Sequence, residues 1–247
     1  MKKAIMLTLA AALAVSIISG CAFVIVVFAD SNAITGTGDL EKFELKVGEY
    51  NGIKIEGHCE VRYYAAPSDT VTLELQPNLR DHYVVEVIGG ELVVRTTRRI
   101  SFGLNKTPVL TVSTPELNSL TVEGAFTFIA HDKITAGSLA LNLSGAGEGR
   151  AELDVGRLTI NASGASTFRL SGSADTADMN ISGAGELDAL SLQTREAVIN
   201  LSGVGTVRIS CSDNLRVNAG GVGTVEYKGS PALDISRGGL VSVKKLD

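Results

Sequence analysis

LNLSGAGE at residues 141–148 returns as INASGAST at 160–167, MNISGAGE at 179–186, INLSGVGT at 199–206 and VNAGGVGT at 217–224. Asn142, Asn161, Asn180, Asn200 and Asn218 mark the same place in each copy, so the spacings are 19, 19, 20 and 18 residues. A self-similar period of about 20 residues is the sequence sign of a solenoid. Apolar residues alternate before each Ser-Gly: Leu139, Leu141 and Leu143, then Leu158, Ile160 and Ala162, and so on through Leu215, Val217 and Ala219. Period two places one parity in a core and turns the asparagines outward. A second alternating run follows several of the glycines, as in Phe168 and Leu170 or Val207 and Ile209. Each repeat therefore holds at least two strands and a Gly-containing corner. At roughly 3.3 Å per residue, two short strands and two corners use up about 20 residues.

The chain can then return one strand spacing higher and begin again, which makes an all-β parallel β-helix of roughly 19-residue rungs. No rung can bury its apolar parity alone, so stacking supplies the core. The hand of the coil is not encoded in the repeat, and the right-handed form is the expected one. A meander of hairpins would show two-residue Asn-Gly or Asp-Gly turns, and residues 141–224 contain none. Gly124, Gly145, Gly164, Gly183, Gly203 and Gly221 are the corner glycines, expected at a positive φ or in a crowded place that a side chain would oppose.

Outward from the repeats, the 247 residues divide into four stretches. Residues 1–29 are expected to stand outside the fold. Lys2 and Lys3 precede an apolar run, and Ser19-Gly20-Cys21 closes it. Small residues before a cysteine are similar to a bacterial lipobox, which makes Cys21 the lipidation candidate. The competing reading is an uncleaved transmembrane anchor, since residues 4–29 carry no charge and are long enough to span a bilayer. Both readings export the remainder and leave it tied to a membrane, at the outer membrane or cell surface. Residues 30–39 are polar and Gly-bearing and suit a short tether. Residues 40–135 are strand-rich but irregular, as expected of an N-terminal cap with the first rungs. Residues 52–64 form a strand–Gly–strand unit and residues 77–83 are at most a turn. Residues 136–247 are the regular rungs, continuous with the cap as one domain. Lys244, Lys245 and Asp247 put charge on the exposed end, where it discourages further stacking.

The composition narrows the function. Loss of Lys2 and Lys3 on cleavage would leave 20 basic against 27 acidic residues. An acidic chain without a basic cluster does not suit nucleic acid. Cys59 and Cys211 share the inward parity and lie far apart along the axis, so they are expected as buried free thiols rather than a disulfide. His58, His82 and His131 have no partner at metal spacing except the adjacent His58-Cys59. Strand neighbours point to opposite faces, so no metal site and no cofactor is expected. No nucleophile motif appears. Asp154, Asp175, Asp178 and Asp188 fall at different rung positions, without aromatic platforms for a sugar. No catalytic residue is assigned.

The outward asparagines should stack about 4.8 Å apart and bond along the axis, which fixes register. They could also dock an envelope glycan or protein partner. A second outward column, Arg150, Arg169, Asp188, Arg208 and Glu226, is expected to alternate in sign from Arg169 onward, as a cross-rung charge ladder.

From residue 47 to the end the chain resembles the head GIN domain of the auto-transporter adhesins, an exported bacterial family. The resemblance rests on YNGIKIEGHCEVRYY at 50–64, GELVVRT at 90–96, PELNSLTVEGA at 115–125, the SGAGE and SGVGT corners, and GTVEYKGSPALDISRGG at 223–239. It implies a β-helix-like fold, surface exposure and an adhesin-like binding or structural role, with envelope stress or assembly through a protein partner as the alternative. A small polysaccharide lyase or hydrolase is the competitor from another class. Two features depart from the family pattern: Ser166 stands where the other corners have Gly, and no membrane-barrel translocator precedes Asp247. Cys21→Ser should abolish fatty-acid labelling and leave the precursor uncleaved. Labelling that persists in the variant would remove Cys21 from the anchor.

Overall fold

The computed structural model describes residues 33–68, 70–101 and 106–247. The segment 1–29, with Cys21, lies outside the described residues. Alternating runs become strands throughout: β1 (Ile34–Thr35), β2 (Glu41–Lys46), β3 (Gly52–Glu56), β4 (Cys59–Tyr64), β5 (Thr70–Leu75), β6 (Tyr83–Ile88), β7 (Glu91–Thr96), β8 (Ile100–Ser101), β9 (Val109–Ser113), β10 (Ser119–Glu123) and β11 (Ala125–Ala130). Longer ones follow, each running round a turn of the coil: β12 (Ile134–Leu143), β13 (Ala146–Ala162), β14 (Ala165–Ile181), β15 (Ala184–Leu201) and β16 (Val204–Ala219). The coil ends in β17 (Val222–Lys228), β18 (Ala232–Arg237) and β19 (Leu240–Lys245). This is a β-solenoid of about seven turns at roughly 19-residue spacing. Residues 77–83, expected as a turn, start with a short 3-10 helix over Pro77–His82.

Consecutive turns pair in parallel, and the register is the one the repeat dictates. Leu141 faces Ile160, Ile160 faces Met179, Met179 faces Ile199 and Ile199 faces Val217. All five are buried. Within a turn the inward residues are two apart until Val155, Ala174 and Thr194, after which the next inward residue is Leu158, Ala177 or Ala197. That slip of parity marks a second bend, opposite in role to the Ser-Gly corner. Core shapes are complementary from turn to turn. Gly149 leaves the space that the Phe168 ring fills, and Phe168 lies 5.9 Å from the ring of Phe126.

Stacking order departs from chain order at the N-terminal end. β3 and β4 pair in parallel with β10 and β11 on one side, and with β7 and β9 on the other. The unit at 52–64 is thus an interior level of the stack. β5 turns antiparallel to β9 and to β2, and β6 antiparallel to β7, so the end of the coil is closed by strands of opposite sense. The stretch expected as a tether is docked here. β1 pairs with β8, Ile34 packs against the core, and the Thr37 N–H donates to Asn78 Oδ1 at 2.9 Å. A free tether would have left Ile34 and these backbone groups in water. At the other end β18 and β19 pair on one side alone, with β16 and β17. Arg237 and Lys245 occupy the inward parity there, in register with buried Ala219 and Tyr227. Charge at inward positions of an edge discourages a further strand.

Corners are held by glycine for lack of room. An added Cβ at Gly145, Gly164, Gly183, Gly203 or Gly221 would come within 3.0 Å of the carbonyl oxygen of the corner glycine one turn below. Of the six expected corner glycines only Gly124 has a positive φ, 136°, so the left-handed backbone expected at the others is absent and crowding alone selects the residue. Two further members extend the column, Gly57 below Gly124 and Gly239 above Gly221. Gly203→Val should therefore cost about 1–3 kcal/mol, the range of forced overpacking, read as a lower denaturation midpoint. Gly220→Ala, whose Cβ would meet nothing within 4 Å, is the matched control and should be close to neutral. Equal effects at the two positions would contradict the crowding argument.

Candidate binding face

Three outward columns lie side by side before each Ser-Gly corner. Nearest the corner are Thr121, Asn142, Asn161, Asn180, Asn200, Asn218 and Ser236, partners in successive registers. Each Asn donates through Nδ2 to the residue one turn below. Asn161 reaches Asn142 Oδ1 at 2.9 Å, Asn180 reaches Asn161 at 3.0 Å, Asn200 reaches Asn180 at 2.8 Å and Asn218 reaches Asn200 at 2.8 Å. The series ends with Asn142 on Thr121 Oγ1 at 3.4 Å. An amide carries two N–H donors and a carbonyl with two lone pairs. The ladder uses one N–H and one lone pair of Asn161, Asn180 and Asn200. One donor and one acceptor per turn are left over on an outward face.

The neighbouring columns are Thr159, Asp178, Val198, Arg216 and Asp234, then Arg157, Thr176, Glu196, Asn214 and Ala232. They line a shallow groove of about 430 Å³. Arg157 pairs with Asp178 at 3.1 Å and Arg216 with Asp234 at 2.8 Å. Asn214 donates to Glu196 at 3.3 Å. Each carboxylate of the groove is thus held by a neighbour, and Val198 sits between the two ion pairs. The buried Thr176 hydroxyl has no hydrogen-bond partner among the described residues. These groove residues were legible in the repeat: Arg157, Glu196 and Asn214 stand four positions before a ladder asparagine, and Asp178 and Arg216 two before.

The charge column across the Ser-Gly corner corrects an expectation. Arg150, Arg169, Asp188, Arg208 and Glu226 do stack in register, but the signs do not pair in sequence. Arg208 binds Glu226 at 2.8 Å and, diagonally, Glu186. These two carboxylates hold its guanidinium in the charged form, the Glu226 hydrogen bond most. Asp188 instead accepts the Leu190 N–H at 3.2 Å. The cause is the 20-residue spacing. The β14–β15 register shifts between Arg169 and Ser171, leaving Leu190 as an extra residue whose amide the Asp188 carboxylate satisfies.

The remaining candidates are dispersed. Cys59 and Cys211 are free and buried. Burial pushes the Cys59 thiol up to about 12 and also raises Cys211. Burial lowers His58, whose Nε2 is 3.4 Å from Thr107 Oγ1. His131 stacks on Tyr64 with ring centroids 4.8 Å apart. Among the described residues no three His, Cys, Asp or Glu side chains gather as a metal site. Asp154 accepts from Ser173 at 3.1 Å, on a different column from Asp178 and from Asp188.

A coil whose outward columns repeat one functional group per turn defines a class: exported-type β-solenoids that present an extended binding face rather than a cleft. A family model described as "putative auto-transporter adhesin, head GIN domain" matches residues 49–231, and the chain belongs to that family. A "putative adhesin" from Bacteroides fragilis is similar over 87% of this chain and 100% of its own, with a TM-score of 0.81 and 22% identity. A "putative lipid binding protein" from Parabacteroides distasonis covers 87% and 100%, with a TM-score of 0.68 and 22% identity. A "putative adhesin" from Parabacteroides merdae covers 88% and 100%, with a TM-score of 0.68 and 21% identity. At these identities the likeness carries the fold. No curated protein matches the chain.

Asn180→Leu removes two ladder bonds and leaves the freed groups of Asn161 and Asn200 in contact with water. A net hydrogen bond is worth roughly 0.5–1.5 kcal/mol, and hydration of the freed groups recovers part of it. The variant should lose about 1 kcal/mol by chemical denaturation. No change would show that the ladder adds nothing to stability.

Proposed function

We propose that this protein is a non-catalytic, exported adhesin-like module of the bacterial cell envelope, held at a membrane by acylated Cys21 or by the apolar segment 4–29. The observation that carries the reading is the row of unused amide donors and acceptors on successive turns, beside a groove open along the axis. Recognition by such a face is repetitive. Weak contacts at each turn add through effective concentration when the ligand is itself extended. An envelope glycan or an extended protein surface fits this geometry. Membership of an adhesin-named family supports the binding role. A polysaccharide lyase or hydrolase is less well supported, because the groove carboxylates are engaged with Arg157, Arg216 and Asn214 rather than converging on one point.

Val198 sits mid-groove and its outward side chain makes no ladder bond. Val198→Lys should reduce retention of the full chain on an isolated cell-envelope fraction severalfold, with an unchanged melting temperature. Val85→Thr, remote from the groove, should leave retention alone. Equal retention of wild type and Val198→Lys would remove the binding role from this face. Consumption of an added envelope polysaccharide would replace it with an enzymatic one.

A further inference from the structure

Arg150 and Arg169 occupy equivalent positions on adjacent turns, about one strand spacing apart. Both are exposed, and neither forms an ion pair among the described residues. Like charges directly opposite each other across a ladder are destabilising, so the pair is held at a cost to the fold. Every carboxylate that could neutralise it is engaged elsewhere or out of reach. Glu152 binds Lys133 at 2.9 Å. Asp188, the register partner of Arg169, turns to the Leu190 N–H. Glu186 binds Arg208, and Glu148 forms no ion pair among the described residues. The two arginines open onto a depression of about 340 Å³ whose wall includes Ser171, Ser191, Glu152 and Asp188.

The bulge accounts for this local excess of positive charge on an acidic chain. An extra residue, Leu190, lengthens one turn to 20 residues. Its amide takes the Asp188 carboxylate, and Arg169 loses the counter-charge that a 19-residue turn would have supplied. Bulges often re-aim a side chain beside a functional site.

We propose that Arg150 and Arg169 form an oxyanion site for one acidic sugar residue of a saccharide, on the face across the Ser-Gly corner from the asparagine ladder. A guanidinium presents a planar fork of donors that matches a carboxylate or a sulfate ester. Ser171 and Ser191 lie where they can meet sugar hydroxyls. The net charge of −5 repels densely charged polymers, so the site suits a saccharide with well-spaced carboxylates. It is independent of the groove and can stand or fall without the adhesin reading.

The test is titration of the detergent-solubilised full chain at low salt with a hyaluronan hexasaccharide, which has a carboxylate on every second sugar. A neutral chitin hexasaccharide, inorganic sulfate and a hexaglutamate peptide serve as comparison ligands. The acidic saccharide should bind most tightly, and high salt should weaken it. Arg150→Gln and Arg169→Gln should each weaken it by about tenfold, while Arg150→Gln raises the melting temperature or leaves it unchanged by relieving the repulsion. Deletion of Leu190 should also weaken binding by releasing Asp188 to Arg169. If that variant does not fold, the two glutamine variants decide. Binding no tighter than the neutral saccharide, or undiminished in both glutamine variants, overturns the site. Equal binding of hexaglutamate overturns the saccharide assignment, and binding of sulfate alone reduces the site to a bare anion pocket and overturns it as well.

Discussion

Backbone against backbone at the Ser-Gly corner is the contact on which the rest of this structure depends. The Ala165 N–H donates to Gly145 O at 3.0 Å, Ala184 to Gly164 at 3.0 Å, Val204 to Gly183 at 2.9 Å and Val222 to Gly203 at 3.0 Å. The residues just before these reach down too: Ser163 and Gly164 both donate to Leu143 O. Corners in most folds are loops whose polar groups face water. Here they are part of the ladder, so each turn is seated on the one below at its bend as well as along its strands. The approach leaves no volume for a Cβ, and glycine follows from that geometry.

Register fixed at the corner propagates to side chains two residues away. Asn142, Asn161, Asn180, Asn200 and Asn218 can share amide bonds of 2.8–3.0 Å because the corner that follows each one is superposed on the next. The same seating confines irregular spacing to the far side of the turn. The 20-residue and 18-residue intervals are absorbed at the register shifts after Arg169 and Ala189, and the asparagine column stays continuous across both. Function can therefore diverge on the two faces. The face before the corner is held periodic, and the face after it can take an insertion, unpair a charge and acquire a local site.

Legibility in the sequence follows the same division. The asparagine column, the corner glycines and the inward parity were readable because each repeats at a fixed phase. The groove columns were readable by the same phase once Asn161 and Asn200 were aligned. Interaction partners were less accessible. Arg208 lies between Asp188 and Glu226 in register, yet it binds Glu226 and the diagonal Glu186, a choice made by side-chain reach and by the capture of Asp188. The interior position of the unit at 52–64 was hidden because β3 and β4 pair with segments on both sides, and nothing local states which comes first along the axis. Docking of Ile34 and Thr35 was hidden for a similar reason: their partners, Ile100 and Ser101, are distant in sequence. The like-charged Arg150 and Arg169 were visible as a contact. Their lack of counter-ions emerges only when every nearby carboxylate is followed to its partner.

The most direct test of the account is residue-resolved hydrogen exchange of the corner amides under native conditions. Ala165, Ala184, Val204 and Val222 donate to the glycine carbonyls below, so their amides should open only with the coil and exchange with the same free energy as neighbouring core strands such as those of Ile160 and Met179. Exchange at the rate of an open surface loop, with the strands still protected, would mean that the corners do not seat the turns and that some other contact sets the register.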